Sequence, residues 1–510
     1  MADSTRPAPT PEEGLTQRIA HHRATREVLE RETLPLATSV DGSTFEFEAS
    51  LHGLELERGC YVMLEGDDGG RLGQVTEIAS ESGRVEMDAP DGATSSFTLR
   101  LARGSGLLLD RVGTAFHDAK VRLAEPEEVG AVFSRTAPDR AGLTIGELFH
   151  APGVPAVLDS GGFNRHTFMC GQSGSGKTYS LGLLLERVLA ETELPIVILD
   201  PNSDYVGLGR VRPDADPTAS ERYQQVHGQV SVWGGDGADH LLRLRFAELA
   251  TDSQAALLGL DPVRDREEYA ALADLLRHTK AGQPLITGLD QLTGSDSPGA
   301  RQLGLRAANL GILEWDVWAR DKPSVLAELA DPTSRCTVVD LGSLGTIEEQ
   351  RLVSQAILSL LWTHRHDRRP CLLVIDEAHN ILAADPQGEL GRLSTDRAVQ
   401  IAAEGRKFGL YLLVSTQAPH KVHENVVSQC DNVVMMRMNS RADIGELTSL
   451  FSYVPPGLVA GLSSFRMGQA LVGGKIFPLS GYVRMGARIS EEGGADIPTD
   501  WARPRPRAGD

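Results

Sequence analysis

The stretch His166–Thr178, HTFMCGQSGSGKT, decides the fold class of this chain. Its first half is an apolar run of strand length. Its second half, GQSGSGKT at Gly171–Thr178, matches the pattern G-x-x-x-x-G-K-[ST] completely. The residues from Thr178 to Ala190 have helical spacing, so a strand, a glycine loop and a helix follow one another. This order predicts a P-loop in an α/β protein.

The P-loop predicts which groups would hold a triphosphate. Glycines let the backbone curl so that its N–H groups face phosphate oxygens, and the next helix points its positive N-terminal end at the same charge. Lys177 is expected to reach the β- and γ-phosphates, and Thr178 to offer its hydroxyl to Mg²⁺. ATP and Mg²⁺ are the predicted cofactors. The predicted cofactor-binding residues are Gly171, Gln172, Ser173, Gly174, Ser175, Gly176, Lys177 and Thr178.

A second motif supplies carboxylates for the same site. Residues 371–377 read CLLVIDE, an apolar strand that ends in Asp376 and Glu377. Asp376 is predicted to hold the magnesium ion through water, and Glu377 to polarise the attacking water. Taken alone the pair could be a surface turn, but the P-loop makes that reading negligible. Gln417, which closes the later strand LYLLVSTQ, is predicted to sense the γ-phosphate; its alternative role is to cap a loop.

Apolar runs and helical periodicity predict the surrounding architecture. Largely apolar strands alternating with helices favour a mainly parallel sheet of the RecA/FtsK-like P-loop type. Between 241 and 330 the pattern is helical, which indicates an insertion or subdomain. The predicted strands are His166–Cys170, Ile196–Leu199, Val230–Trp233, Thr337–Asp340, Leu372–Ile375, Leu410–Val414 and Val433–Met438, with further short strands within Gln469–Val483.

The segments outside the ATPase core have different textures. Short alternating runs from about Leu34, namely FEFEASL, CYVMLEG, GQVTEIA, RVEMDAP and SSFTLRL, predict a small antiparallel β-barrel. The expected domains are a disordered or helical arm at 1–33, the barrel at 34–130, the core at 145–490 and an irregular tail at 491–510.

Composition restricts the cell compartment and the possible partners. The 510 residues carry a formal charge of −20, so a nucleic acid would need a local basic lining to overcome an unfavourable overall field. The five cysteines form no CxxC pair and no zinc-spaced cluster, which favours buried thiols in a reducing cytosol. No signal-peptide core and no membrane-length apolar run is present, and a cytoplasmic protein is expected.

An ordered set of motifs resembles a known family. After GQSGSGKT come LDPNSDY (199–205), VIDEAHN (374–380), EGRKFG (404–409), STQ (415–417) and SQCDNVVMMRMN (428–439). Together they resemble the HerA group of the HerA/FtsK superfamily of hexameric DNA motors, over roughly 34–485. The N-terminal β-domain is similar to that family's HAS barrel in position and texture. Family members often have DPxGEY where this chain has DPNSDY, so the glycine is lost and Asp204 replaces a glutamate.

The resemblance implies a ring, a polymer substrate and a partner. It implies a homo-oligomer, a hexamer by family likeness, with ATP at subunit boundaries and double-stranded DNA through a central channel. A neighbouring subunit would contribute an arginine, for which Arg165 and Arg406 are the two candidates; each could instead form a structural salt bridge. An effector protein is also implied, either a NurA-like nuclease or a sirtuin-like or other effector, in DNA end processing or antiphage defence.

Three functions remain open from the sequence. The leading one is an ATP-driven DNA translocase or helicase. The acidic surface favours a second, an ATP-gated scaffold that activates an effector enzyme without sustained translocation. A secretion or conjugation coupling ATPase is the third, and the absence of a membrane-length segment counts against it. Candidate basic residues for lining a DNA channel are Arg210, Arg212, Lys421 and Arg441.

Overall fold

The computed structural model divides the chain into two compact units. The first comprises residues 1–136, 147–155 and 454–461, and the second comprises the rest. The residues that the structure describes are 19–25, 27–28, 35–51, 54–67, 69–88, 94–110, 112–136, 140–278, 289–319, 323–332 and 334–494. Most of the expected N-terminal arm, and the expected tail beyond 494, lie outside them. No helix among them has both the length and the apolar character that a bilayer crossing needs.

The first unit contains the predicted barrel, which is confirmed. Six strands close it in the order β1-β2-β5-β4-β3-β6. Exposed and buried residues alternate along β2, which turns Phe45 and Phe47 into the core. Helix α1, Pro126–Thr136, follows the last strand. The strands are β1 (Leu36–Ser39), β2 (Thr44–Ser50), β3 (Tyr61–Gly66), β4 (Gly69–Asp88), β5 (Thr94–Leu108) and β6 (Phe116–Leu123).

One prediction for the barrel was wrong. The run GQVTEIA and the RVEMD part of RVEMDAP, expected to be separate short strands, belong to the single 20-residue strand β4; the last two residues of RVEMDAP lie outside the described residues. The antiparallel pairing of β4 with β5 passes through Gly83, which lies opposite Leu99, with a bulge between Val75 and Glu77. A glycine inside a strand pattern can mark a bulge or a weak point of the strand as well as a turn, and local sequence does not distinguish these cases.

The second unit is built on a large sheet. Its order is β12-β11-β13-β10-β14-β15-β9-β16-β17-β18-β7-β8. Neighbouring strands from β12 to β16 in this order are parallel, and β16-β17-β18 are antiparallel. The strands are β7 (Gly142–Leu148), β8 (Pro155–Asp159), β9 (His166–Cys170), β10 (Ile196–Asp200), β11 (Val230–Gly234), β12 (His240–Leu241), β13 (Cys336–Asp340), β14 (Cys371–Ile375), β15 (Leu410–Thr416), β16 (Cys430–Met435), β17 (Gln469–Gly474) and β18 (Phe477–Met485).

The P-loop α/β fold is thus confirmed, with two differences in the strands. The strand expected at Val433–Met438 spans Cys430–Met435 instead. Its neighbour β9 ends at Cys170, which lies opposite Met435, so the pairing of the two strands stops before Met436. Strands β7, β8 and β12 were not predicted. Of these, β7 alternates and carries two glycines, and β12 has two residues, so neither has the continuous apolar run of a central parallel strand.

Most helices of the second unit connect the parallel strands or lie between 241 and 330; two further helices, Arg441–Leu450 and Pro456–Ala460, lie between β16 and β17 in the sequence, and the second of these belongs to the first unit. The helix at Ile347–Thr363 (α8) begins with a capping box, in which Thr346 and Glu349 satisfy each other's backbone N–H groups. The helices are α2 (Lys177–Glu191), α3 (Pro217–Val226), α4 (Thr251–Leu257), α5 (Arg266–His278), α6 (Pro298–Asn309), α7 (Val325–Ala330), α8 (Ile347–Thr363), α9 (Gly388–Glu404), α10 (Glu424–Val427), α11 (Arg441–Leu450) and α12 (Pro456–Ala460).

A buried carboxylate ties the segment after β18 to the P-loop helix. Glu186, fully buried on α2, accepts hydrogen bonds from the backbone N–H of Ile489 at 2.9 Å and of Ser490 at 2.8 Å. Burial raises the pKa of Glu186, and these N–H donors oppose the shift. Residues 492–494, which follow this contact, line the P-loop cavity.

His166 at the start of β9 is a buried, neutral link between elements. Its Nδ1 accepts from the Leu412 N–H at 2.9 Å, and its Nε2 lies 3.0 Å from the Ala402 carbonyl oxygen. Burial lowers the pKa of His166 to about 4. The unfolded chain, with a pKa near 6.5, therefore binds a proton first as the pH falls.

This linkage predicts acid destabilisation from one residue. Between pH 7.5 and pH 5 the protonation of unfolded His166 should remove about 2 kcal/mol of unfolding free energy. His166→Gln keeps an acceptor and a donor but does not titrate. Urea unfolding at both pH values should therefore show a smaller loss for the variant than for the natural chain; equal losses would contradict the assignment.

Candidate nucleotide site

The P-loop follows β9 at the carboxyl edge of the sheet. Gly174 and Gly176 have φ values of 72° and 91°, a left-handed conformation that glycine adopts without strain. At Gly171 a Cβ would lie 2.7 Å from Ser175 Oγ and 2.8 Å from Met436 Cβ, so a side chain there would keep the loop from closing. These local requirements explain why the three glycines stand where they do.

The loop lines a cavity of about 530 Å³. Within the described chain the backbone N–H groups of Gly174, Gly176, Lys177 and Thr178 have no hydrogen-bond partner, and helix α2 begins at Lys177. Unpaired N–H groups at a helix N-terminus are a ready anion site. The cavity is lined by Gln172, Ser173, Gly174, Gly176, Lys177, Thr178, Tyr179, Ser180, Asp204, Gln417, Met467, Gly468, Glu492, Gly493 and Gly494.

The lysine of the loop is held by both carboxylates of the second motif. Lys177 Nζ lies 2.6 Å from Asp376 Oδ1 and 3.2 Å from Glu377 Oε1. Ser415 Oγ donates to the same Asp376 oxygen at 2.6 Å and accepts from Lys177 at 3.1 Å. Burial alone would lower the pKa of Lys177, but the two carboxylates outweigh it and raise that pKa. Lys177 therefore stays charged in its 4% exposed position.

Strand order explains how distant residues reach this point. Strand β15 lies between β9 and β14, with Thr416 opposite Cys170 and Val414 opposite Ile375. The residues that follow β9 and β14 therefore meet beside the carboxyl end of β15. This arrangement brings together Lys177 and Asp376, which are 199 positions apart in the sequence.

Gln417 contacts Glu377 in this structure. Its Nε2 donates to Glu377 Oε1 at 2.6 Å, and its backbone N–H donates to Oε2 at 3.3 Å. His379 Nδ1 lies 3.3 Å from the same Oε2. Glu377 itself has a φ of 40°, which a non-glycine residue adopts only when its surroundings hold it there. The structure thus brings Gln417, Glu377 and Lys177 together.

The two predicted arginines lie at the opposite edge of the sheet. Arg406 Nη1 donates to Asp431 Oδ2 at 2.7 Å, and Arg165 Nε lies 3.7 Å from the same oxygen. Arg165 directly precedes β9, whereas the P-loop directly follows it, so about 15 Å of strand separates them. The structure brings the arginines to each other and not to the P-loop of their own chain.

Sequence reasoning assigned no function to two buried neighbours of Asp376. They are Ser415 and Tyr205, whose hydroxyl donates to Asp376 Oδ2 at 3.2 Å. Burial and the nearby carboxylates raise the pKa of Tyr205 well above its usual value, so the hydroxyl keeps its proton. Both residues lie in quoted motifs, LDPNSDY and STQ, but their side-chain contacts depend on strand order.

Arg437 is a further residue at the loop that the sequence did not single out. Its Nη2 donates to the Gly174 carbonyl at 3.2 Å, and its own carbonyl accepts from the Gln172 N–H at 3.0 Å. The Gln172 side chain in turn accepts from the Asn439 N–H at 3.1 Å. These hydrogen bonds connect the first half of the P-loop to the residues that follow β16.

The candidate basic residues divide into two pairs. Arg210 and Arg212 are bound to carboxylates, Arg210 Nε to Glu491 at 2.6 Å and Arg212 Nη2 to Asp214 at 2.8 Å. Lys421 and Arg441 are exposed. The five cysteines are buried free thiols, as the sequence indicated.

Comparison with known proteins agrees with these features. A family model described as the central domain of helicase HerA matches residues 143–298. A relative from Sulfurisphaera tokodaii, named DNA double-strand break repair helicase HerA, is 23% identical and covers 87% of this chain and 91% of its own length. The protein of the same name from Saccharolobus solfataricus is 22% identical, with 84% and 87% covered.

A solved structure also resembles the chain. VirB4 of Thermoanaerobacter pseudethanolicus aligns with a TM-score of 0.47 and 15% identity, covering 69% of this chain and 97% of that one. This TM-score is too low to support a fold assignment, which therefore rests on the sheet order and the P-loop described above. The sequence matches confirm the predicted resemblance to HerA-like ATPases and the predicted enzyme class, a P-loop ATPase.

Proposed function

We propose that this chain, HerA-like over most of its length and a P-loop ATPase in fold, is the motor subunit of an ATP-driven DNA translocase or helicase. The subunits form a ring of six, the number implied by the resemblance to HerA-like motors, and double-stranded DNA passes through the channel of the ring. The motor works in the cytoplasm with an effector protein, a NurA-like nuclease or another effector such as a sirtuin-like enzyme, in DNA end processing or antiphage defence.

The observation that carries the proposal is the separation of the P-loop from the two candidate arginines, Arg165 and Arg406. Each chain has a P-loop with its two carboxylates at one edge of the sheet and a pair of arginines at the other edge. A chain cannot bring its own arginines to its own phosphates across the sheet. In a ring, each subunit can present the arginine edge of its sheet to the P-loop edge of its neighbour. One subunit then supplies arginines to the nucleotide that the next subunit binds.

The oxygen atoms at the site suit magnesium. Thr178 lines the cavity, and the buried Asp376 carboxylate lies directly behind Lys177. Both carry hard oxygen donors, and Mg²⁺ usually needs only one or two protein oxygens besides the phosphates. When bound, the ion would neutralise charge on the β- and γ-oxygens. The chain's own residues then divide the work: Thr178 and Asp376 would hold the ion, and the loop N–H groups would hold the phosphates.

The contacts of Lys177 and Glu377 indicate a resting arrangement. Lys177 is occupied by two carboxylates, and Glu377 is occupied by Lys177, Gln417 and His379. A triphosphate competes for the ammonium of Lys177 and for the amide of Gln417. When both turn to phosphate, Glu377 is released to accept a proton from the attacking water. Gln417 would thereby couple the γ-phosphate to the catalytic carboxylate.

DNA as the polymer is supported by the named HerA relatives. The net charge of −20 and the paired state of Arg210 and Arg212 favour the alternative, an ATP-gated scaffold for an effector. The two functions differ in how ATP turnover responds to DNA. A translocase is stimulated by duplex DNA, more by longer duplexes, and loses DNA affinity steeply as salt rises. A scaffold shows neither response.

Lys177→Ala tests the site on which both functions depend. Loss of a charge-assisted bond to phosphate, worth 1.5–3 kcal/mol, should weaken ATP binding by roughly tenfold to a hundredfold and abolish turnover with or without DNA. The measurement is ATP binding by calorimetry together with phosphate release on duplexes of increasing length. Lys475→Ala, outside the site, is the control. Normal ATP turnover in Lys177→Ala would refute the proposal, whereas turnover that needs Lys177 but ignores DNA would favour the scaffold.

A further inference from the structure

Tyr205 is buried beside the P-loop without lining its cavity. Its relative exposure is 0%, and its hydroxyl donates to Asp376 Oδ2 at 3.2 Å. Buried tyrosine hydroxyls normally find a hydrogen-bond partner, but here the partner is the carboxylate predicted to hold the metal. The contact can therefore affect the orientation of this carboxylate as well as the packing of the tyrosine ring.

The loop that carries Tyr205 is folded around a second carboxylate. Asp200, at the end of β10 and fully buried, accepts from the backbone N–H groups of Asn202 at 3.3 Å, Asp204 at 3.0 Å and Tyr205 at 2.8 Å. Ser203 inside this loop has a φ of 62°, a left-handed conformation. Three bonds to one carboxylate fix the backbone of Tyr205, and with it the direction of its ring.

The oxygens of Asp376 are used unequally. Oδ1 receives both Lys177 and Ser415, whereas Oδ2 receives only Tyr205 among the described residues. Each carboxylate oxygen has about two lone-pair directions, so one direction on Oδ2 remains open. The Tyr205 bond fixes the rotation of the carboxylate and thus where that open direction points.

We infer that Tyr205 is a positioning residue that aims Asp376 Oδ2 at the divalent cation of the bound nucleotide. The inference rests on the proposed ATPase function and adds a role for the DPNSDY loop. Partners that orient a metal ligand in this way typically change metal affinity by 10–100-fold when removed. The role is distinct from catalysis, because Tyr205 does not line the P-loop cavity and would act only through Asp376.

The test compares two buried tyrosines. Tyr205→Phe removes only the hydroxyl on Asp376. Tyr223→Phe removes a hydroxyl that donates to the Leu208 carbonyl in the same unit, and neither of these residues lines the P-loop cavity. Binding of a fluorescent ATP analogue is titrated with Mg²⁺, starting from a metal-free sample with EDTA. For Tyr205→Phe we expect unchanged binding in EDTA and a Mg²⁺ midpoint raised by about tenfold or more. Tyr223→Phe should keep the natural midpoint.

The outcomes separate this inference from the proposed function. A Tyr205→Phe midpoint within about twofold of the natural one, or equal shifts in both variants, would overturn the positioning role. Absence of Mg²⁺-dependent binding in the natural chain would instead count against the ATPase proposal. If Tyr205→Phe does not fold, Asp200→Asn provides the same test, because it keeps the hydroxyl but loosens the loop. It should raise the midpoint in the same direction, and no shift would overturn the inference.

Discussion

Arg406→Ala is expected to lower ATP turnover by about 10³-fold or more while leaving ATP binding nearly unchanged. Arg406 lies at the edge of the sheet opposite the P-loop of its own chain, beside Asp431, and in the proposed ring it would face the nucleotide of a neighbouring subunit. An arginine supplied in trans stabilises charge that develops on the transferring phosphoryl group, so its loss affects the transition state more than the ground state. Steady-state turnover and equilibrium binding of ATP measure the two effects separately.

Mixing two inactive variants distinguishes a trans role from a cis role. Arg406→Ala chains have intact P-loops, and Lys177→Ala chains have intact arginines. In the proposed ring, a mixed assembly would contain interfaces at which the P-loop and the arginines are both natural, so co-assembled variants should regain part of the turnover that each lacks alone. Both arginines lie beside Asp431, so the mixing experiment is repeated with Arg165→Ala in place of Arg406→Ala to find which of the two acts in trans. Arg277→Ala, an exposed arginine paired with Asp274, is the matched control. No recovery in any mixture would contradict the shared site.

How much of this site the sequence could predict depends on the range of each interaction. The glycine pattern, the strand before it and the helix after it are local, and they predicted Gly171–Thr178 with its correct context. The strand ending at Ile375 was predictable because a run buried on both faces is apolar throughout. Residues that follow such strands were therefore predictable as candidates for the carboxyl edge.

Contacts that depend on strand order could not be predicted in the same way. Nothing near Tyr205 in the sequence indicates a bond to Asp376, 171 positions away, because the bond requires β10 beside β14. The sharing of Asp431 by Arg165 and Arg406 likewise requires β9 beside β16. Strand β7 was missed because alternation and glycine resemble a loop, and β4 was divided because Gly83 resembles a turn.

The second large effect is expected from Glu377→Gln, which should reduce turnover by roughly 10²–10⁴-fold. The substitution keeps the size of the side chain and removes the ability to accept a proton from water. It also removes one of the two negative charges that hold Lys177, leaving Asp376 as the carboxylate partner at 2.6 Å. Lys177 then turns to phosphate more readily, so ATP binding should be equal to or tighter than in the natural chain.

The combination of lost turnover and retained binding identifies a catalytic base. Rings of Glu377→Gln should therefore accumulate with ATP bound, which single-turnover measurements and filter binding of labelled ATP can detect. Glu389→Gln, an exposed glutamate on α9 paired with Arg392, is the matched control and should behave like the natural chain. Weak ATP binding in Glu377→Gln would mean that this carboxylate serves to hold the nucleotide site together. Natural turnover would mean that another group activates the water.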